Sequence, residues 1–504
     1  MTIPEPAELG RFRHTVARYL GLQFDHTRLA LLADVLERRA SANRDPVDVY
    51  LDRIENDVFA REEFRELARE LTIGETYFFR HLAQFRAFEE AALPDRLSAR
   101  SPHRPLQVLS AGCASGEEAY SLAIVLRERG LDLTRQVGVH AIDINRAMLA
   151  KAADARYAAW ALRETTPDLE RRWFRPVGRD FVLSDAIRTA VTFGERNLVR
   201  DDPAFWRPDH YDVVFCRNVI MYFTTEEAER LVARIARSLA PGGYLFLGHA
   251  ETLRGLSHDF HLRHTHGTFY YQRKHGSERG GEMDTASRVQ AEISSPAPAD
   301  PGWTATWIET IQRTSDRIRA LSERSPRPTL TQTPAKLEAR ADLGPALDLL
   351  RRERFSQALE LLGTFPASST RDPELLLLRA VLSSHCGELT NAVRIANEVL
   401  LLDEFSAGAH YVLALCAEGL GDLKGAAHHD QTAIYLSPAF AMPHLHLGLM
   451  ASRSGERERA EREFKLAVSL LEREDEARLL LFGGGFNRES LMGICHAKLG
   501  RLEV

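Results

Sequence analysis

Apolar positions in the first 90 residues recur at helical spacing. Leu29, Leu32, Val35 and Leu36 form one stripe and Phe64, Leu67 and Leu71 another, so this stretch is expected to be all helix. From about residue 91 to 275 the pattern changes. The runs "LQVLS", "VGVHAID", "YDVVFC" and "YLFLG" are short, almost continuously apolar and separated by helical stretches, as strands of a buried parallel sheet with helical crossovers are. From about residue 341 to the end the spacing is helical again.

That last part also repeats. Gly387, Gly421 and Gly455 lie 34 residues apart, and Ala358, Ala392, Ala426 and Ala460 keep the same step. This is the tetratricopeptide period, in which small residues such as Ala414 and Gly448 let two antiparallel helices approach closely. Three to four repeats are expected over 341–504. "EREDEARLLLFGGGFNRES" breaks the period before a last helix around Leu491–Leu499, so one hairpin should be irregular. Upstream, 276–340 holds "GSERGG", "SSPAPADPG" and "SPRPTLTQTP", a flexible linker that cannot bury a core, interrupted by a short helix near Trp307–Leu321.

Composition narrows the class without naming it. The 504 residues are 44% hydrophobic and 27% charged, with a formal net charge of -6, which fits a soluble globular chain and argues against general affinity for nucleic acid. No run of about 18 apolar residues occurs and "MTIPEPAELG" has no signal-peptide pattern, so a cytoplasmic location without direct membrane insertion is expected. Cys113, Cys216, Cys386, Cys416 and Cys495 form no CxxC pair, consistent with a reducing compartment.

Candidate chemistry begins at "VLSAGCASGEEAYSLA", residues 108–123, which reads as strand, glycine turn and helix. Such a turn usually cradles phosphate, yet Glu117 and Glu118 place two carboxylates where a pyrophosphate would sit. The second strand ends at Asp143, where an acid can accept hydrogen bonds from ribose hydroxyls. A nucleoside without phosphate but with positive charge fits both features, and S-adenosyl-L-methionine is such a ligand; a glycine turn that only packs helix on sheet is the plainer reading. Cys113 reads as a packing residue because the neighbouring acids oppose a thiolate. His258, His261, His264 and His266 lie close together with no Cys among them and are not read as a metal site. His428 and His429, adjacent on a helix, are expected to face solvent.

Six segments in order carry a resemblance: "LTIGETYFFRHLAQF", "SAGCASGEEAYSLA", "AIDIN", "NL" at 197–198, "YDVVFCRNVIMYF" and "LAPGGYLFLGHAETL". Over about the first 273 residues the chain resembles the CheR family, S-adenosylmethionine-dependent methyltransferases that esterify glutamates of bacterial chemoreceptors. With tetratricopeptides behind it, the layout resembles the WspC or FrzF type. The resemblance implies an α/β architecture: an N-terminal all-α domain (1–90), a Rossmann-like class I methyltransferase domain (91–275) with a small antiparallel β-subdomain at about 173–197, and a C-terminal α-solenoid. It also implies cofactor contacts from Thr76, Arg80, Gly112, Glu118, Asp143, Asn197, Leu198, Arg217 and Asn218, and a tyrosine, Tyr222, facing the reactive methyl. By position alone Tyr222 could equally be a core aromatic. Gly74 departs from the Asn common at its position in relatives.

The expected chemistry is light. An ionised glutamate can attack the methyl carbon directly, so neither metal nor strong base is required, and positioning dominates. Arg80 and Tyr222 are the candidates for orienting the acceptor. The resemblance implies a methyl-accepting chemoreceptor as substrate, docking on a helix that here offers Arg28, Arg38 and Arg39; Asp34 and Glu37 dilute that charge, and an ordinary solvated face is the equal alternative. The short turn at Gly178 predicts recognition independent of a receptor-tail pentapeptide. The repeats are expected to bind a protein. The competing reading is a scaffold whose methyltransferase domain senses the cofactor without catalysis. Methylation of nucleic acid is disfavoured because "CRNV" stands where an N-P-P-Y type turn would be needed.

Overall fold

The computed structural model describes residues 6–24, 28–56, 61–72, 74–101, 104–249, 251–275, 343–365 and 372–502. The expected linker and its helix near Trp307–Leu321 lie outside the described residues. The chain divides into two compact units, Met1–Glu282 and Met283–Val504.

In the first unit, α1 (Pro6–Leu20), α2 (Leu29–Asn43), α3 (Val47–Asn56) and α4 (Arg61–Leu71) share one core built from the predicted stripes, with Phe12, Leu32, Leu36, Leu51 and Leu67 fully buried. The arginines of α2 do not form an outward basic face. Arg39 is only 12% exposed and pairs with Glu63 at 2.7 Å, while Arg38 pairs with Glu70 at 3.0 Å; both acids lie on α4. Arg28 stands over the rings of Phe24 and Tyr222, 5.1 and 5.6 Å from their centroids.

The helical core ends earlier than residue 90. Phe78, Phe79, Phe85 and Phe88 pack into the core of the following sheet, and α5 (Leu82–Ala87) passes through a π-turn at Phe88–Ala92 into α6 (Leu93–Ala99). The reason is aromatic: the Phe78 ring meets Tyr157 and Phe174 edge-on at 4.9 and 4.8 Å, drawing this segment onto the sheet.

The sheet consists of β1 (Leu106–Ala111), β2 (Val137–Asp143), β6 (Val191–Glu195), β7 (Tyr211–Cys216), β8 (Leu239–Leu247), β9 (Phe260–Thr265) and β10 (Thr268–Arg273), in the order β6-β2-β1-β7-β8-β10-β9. The first five are parallel and the hairpin β9–β10 closes the edge antiparallel. β1 is central: Val108 pairs with Val139 on one side and Val213 on the other. This is the Rossmann-like arrangement, with α7 (Glu117–Glu128), α8 (Arg146–Asp154) and α11 (Thr225–Ser238) among its helices.

The small antiparallel sheet contains β3 (Arg156–Ala158), β4 (Phe174–Val177) and β5 (Asp180–Leu183), in the order β3-β5-β4. It therefore begins before residue 173 and ends before 197. Val191–Glu195 belongs instead to the main sheet, because its register with β2, Val139 against Val191 through Asp143 against Glu195, completes the parallel edge.

The second unit is a series of antiparallel helix pairs. First helices run Gly344–Arg351, Pro373–His385, Ala407–Gly419 and Ala441–Arg453; their partners run Phe355–Gly363, Leu389–Leu402, Leu423–Leu436 and Arg457–Leu471. Ala358, Ala392, Ala426 and Ala460 are fully buried between them, and a Cβ at Gly448 would lie 2.8 Å from the Phe464 ring. The period then breaks: a short helix, Glu476–Phe482, precedes the last one, Arg488–Leu502. His429 does not face solvent as expected; its Nδ1 lies 3.1 Å from His410 Nδ1 on the preceding helix. His428 is exposed as expected, and its ring lies 5.5 Å from that of the partly buried His429. No helix among the described residues is long and apolar enough to cross a membrane.

Candidate functional site

Strand order reverses between β1 and β7, and crevices at such points, beyond the carboxyl ends of parallel strands, are where ligands bind. Gly112 follows β1 with φ +84°, and a Cβ there would sit 2.4 Å from Val219 Cγ2, so only glycine lets the two loops pass. Asp143 at the end of β2 holds the turn: Oδ2 accepts from the Ala114 N–H at 2.9 Å and Oδ1 from the Asn145 N–H at 2.7 Å. Each oxygen keeps a lone pair for a hydroxyl donor. Cys113 is buried, which pushes its thiol well up and makes it a packing residue.

At the start of α7, Glu118 accepts from Ser110 Oγ at 2.7 Å and pairs with Arg217 Nη1 at 3.2 Å. Arg217, 2% exposed, also donates through Nη2 to the Arg80 carbonyl at 2.6 Å. One buried cation thus fixes both the acid and the loop that carries Arg80. The Arg80 guanidinium itself donates to the Glu75 carbonyl at 2.8 Å. Burial raises the carboxyl of Glu118, partly opposed by Arg217, and burial raises that of Asp143. Ionised acids here are short of positive charge, which a cationic ligand would bring.

The stretch after β7 is shaped by a residue that motif reading left without a role. Glu251 is 4% exposed, and its carboxylate accepts from four backbone N–H groups: Asn218 at 2.7 Å, Val219 at 2.8 Å, Met221 at 3.2 Å and Gly248 at 2.7 Å. It thereby holds Asn218 at φ +58° and the 3₁₀ turn Ile220–Tyr222. The only signal was an acid three residues after Gly248 in "LGHAETL".

The N-terminal helices supply the remaining wall, also unforeseen. Leu22 pairs with Phe223 as an isolated antiparallel bridge, the Gln23 N–H donates to the Tyr222 carbonyl at 2.7 Å, and the Thr224 N–H donates to the Gly21 carbonyl at 3.1 Å. Asn197 takes part in this seam: its Nδ2 donates to the Tyr19 carbonyl at 2.8 Å and its Oδ1 accepts from the Val199 N–H at 3.0 Å. Its side chain is thus committed within the protein. Leu198 is buried beside it, with its carbonyl held by Arg234 at 2.5 Å.

These pieces enclose a cleft with two arms. One, about 870 Å³ including space open to solvent, is walled by Leu22, Phe24, Asp143, Ile144, Asn197 and Leu198. The other, about 820 Å³ on the same basis, holds Thr76, Arg80, Glu118 and Arg217. Gly112, Asn218 and Tyr222 border both. All ten predicted residues therefore lie at one cleft, sorted into a largely apolar arm and a charged one. The donor set suits S-adenosylmethionine: Asp143 and the apolar walls for the nucleoside, Glu118 and Arg80 for the ammonium and carboxylate, and acids rather than bases at the helix mouth.

Comparison with known proteins agrees with this chemistry. The family model "CheR methyltransferase, SAM binding domain" matches residues 74–269. The chain is 34% identical over 215 residues to chemotaxis protein methyltransferase 2 of Vibrio cholerae, covering 42% of this chain and 74% of that protein. It is 33% identical over 198 residues to chemotaxis protein methyltransferase 1 of Pseudomonas aeruginosa, covering 38% and 71%. Similarity to the probable biofilm formation methyltransferase WspC of Pseudomonas putida is 31% over 243 residues, 48% of this chain and 56% of that one.

Proposed function

We propose, from the premise that this chain belongs to the CheR methyltransferase family, that it methyl-esterifies glutamate side chains of a chemoreceptor and that its repeats dock a protein of the same signalling system. The domain at 74–269 binds S-adenosylmethionine, and the chain is a methyltransferase of the chemosensory type. The glutamate target, the residue roles and the docking role are our reading.

The observation that carries the reading is the meeting of the two arms at Tyr222 and Asn218, beside Arg80. The cofactor supplies a methyl group made electrophilic by its sulfonium. The chain's own residues then have three tasks. Glu118, held by Ser110 and Arg217, pairs with the ammonium group, while Arg80 is placed for a carboxylate and Thr76 lines the same arm. Asp143 holds the ribose end, and Asn197 and Leu198 line the wall beside the base, their carbonyls and the Asn197 side chain being engaged within the protein. Tyr222 stands at the junction, where its hydroxyl can hold the incoming carboxylate in line with the methyl carbon. The acceptor needs no general base, since it is already ionised near neutral pH.

The test is incubation of the full chain with methyl-labelled cofactor and membranes of its host. Label in a receptor-sized band, released as methanol by mild base, supports esterification. Tight cofactor binding with no protein labelled would favour the sensing-scaffold reading.

A further inference from the structure

In the second unit, the first helices of the first three pairs share one face, since a single short segment touches all three, and stacked repeats offer such faces to ligands. Here that face is already occupied. The seven-residue helix Glu476–Phe482 lies across it, touching the first helices of the first and second pairs. The Phe482 ring stands 5.8 Å from Tyr411 and 5.1 Å from Phe440, and a Cβ on Gly408 would come 2.5 Å from its Cζ. Leu480 and Leu481 pack against the cluster of Ala346 and Leu350 at the far end of the array. A polar anchor precedes the apolar part: buried Glu474 accepts the Ala441 N–H at 2.7 Å and pairs with Arg478 at 3.2 Å, and Arg478 donates to Ser437 Oγ at 3.3 Å.

We propose that this face is a docking groove for a short helix of a partner protein, acidic at its start and bearing leucine and phenylalanine after it, and that residues 474–482 are an internal occupant which such a helix displaces. Four features separate this from an ordinary fifth repeat. The 34-residue period breaks at this point, and the segment reaches back to the first pair instead of stacking only on the fourth. A helix of seven residues has no stability of its own, so the groove's contacts hold it folded, as they would hold a peptide. Gly483, Gly484 and Gly485 follow directly, with φ +63° and +89° at the last two, a glycine hinge on which the helix can leave while Arg488–Leu502 stays packed on Arg457–Leu471. The proposal is independent of the methyl-transfer reading.

The probe is a fluorescent peptide of residues 473–487, titrated into the full-length chain. Internal occupancy lowers the apparent affinity of the wild type, so Phe482→Ala, which loosens the occupant, should bind the peptide about tenfold tighter or better. Adding Gly408→Leu, which fills the Phe482 site, should abolish that gain. In the wild-type chain, amides of 478–482 should exchange with solvent about tenfold faster than those of 411–416, since they open without the array. Equal peptide affinity in wild type and Phe482→Ala overturns the proposal. So does uniform exchange protection, or loss of the array's helicity in Phe482→Ala, because the segment would then be an integral part of the repeat core.

Discussion

In the proposed function, Glu118 is the side chain that meets the cofactor's positive charge. Its carboxyl is raised by burial, and the form that pairs with an ammonium group is the ionised one. As pH falls through that raised value, binding must expel a proton, so affinity declines toward acid and complex formation releases protons. Calorimetry with S-adenosylhomocysteine in two weakly acidic buffers of different ionisation enthalpy should record the release, and Glu118→Gln should abolish it while weakening binding about 10- to 100-fold, the worth of one charged hydrogen bond. Tyr222 predicts the opposite split. Tyr222→Phe should lower kcat about tenfold or more and leave cofactor affinity within about threefold, since its hydroxyl is assigned to the acceptor. Parallel losses in both quantities would place that hydroxyl on the cofactor instead.

At the scale of elements, the loop 217–222 owes its shape to one carboxylate. Removing Glu251 leaves four backbone N–H groups to find new partners, each costing about 1–3 kcal/mol if left buried and unpaired. Glu251→Ala should therefore lower Tm by several degrees and weaken cofactor binding together, whereas Glu251→Gln, which keeps one acceptor oxygen, should recover part of both. Gly112→Ala should fail differently, by driving a methyl into Val219 under a left-handed backbone, with cofactor binding lost in equilibrium dialysis even where the far-UV spectrum is unchanged. What the sequence made legible follows the same division. The four strands with nearly continuous apolar runs, the helical stripes and the 34-residue period were readable because burial imposes them locally. Val191–Glu195 was not: "VTFGE" has the mixed pattern of an edge strand, and only its register with β2 reveals it. The glycine turn and Asp143 were legible from spacing, whereas Glu251 shapes the loop through three backbone groups 30 or more residues earlier, a relation no local pattern carries. The ion pairs of Arg38 and Arg39 were not legible because their partners, Glu70 and Glu63, sit on another helix.

For the whole molecule, the first unit contains its own two cores and every predicted site residue. A chain ending at residue 275 should unfold in one cooperative transition and bind S-adenosylhomocysteine as the full chain does. A calorimetric scan with and without that ligand measures both. If receptor labelling also survives the truncation, the repeats direct the enzyme to a location; if it disappears while ligand affinity persists, they present the substrate.

The seam between residues 21–24 and 222–224 couples two things that could have been built apart. The strand-like segment leaving α1 is both a wall of the nucleoside arm and a backbone partner of the tyrosine turn. Under the proposed function, a receptor docking on the helical bundle would pull on the grip around the methyl donor, and a bound donor would stiffen the surface that receptor touches. Changes that suit a new receptor and changes that suit cofactor affinity would then fall on the same few peptide bonds.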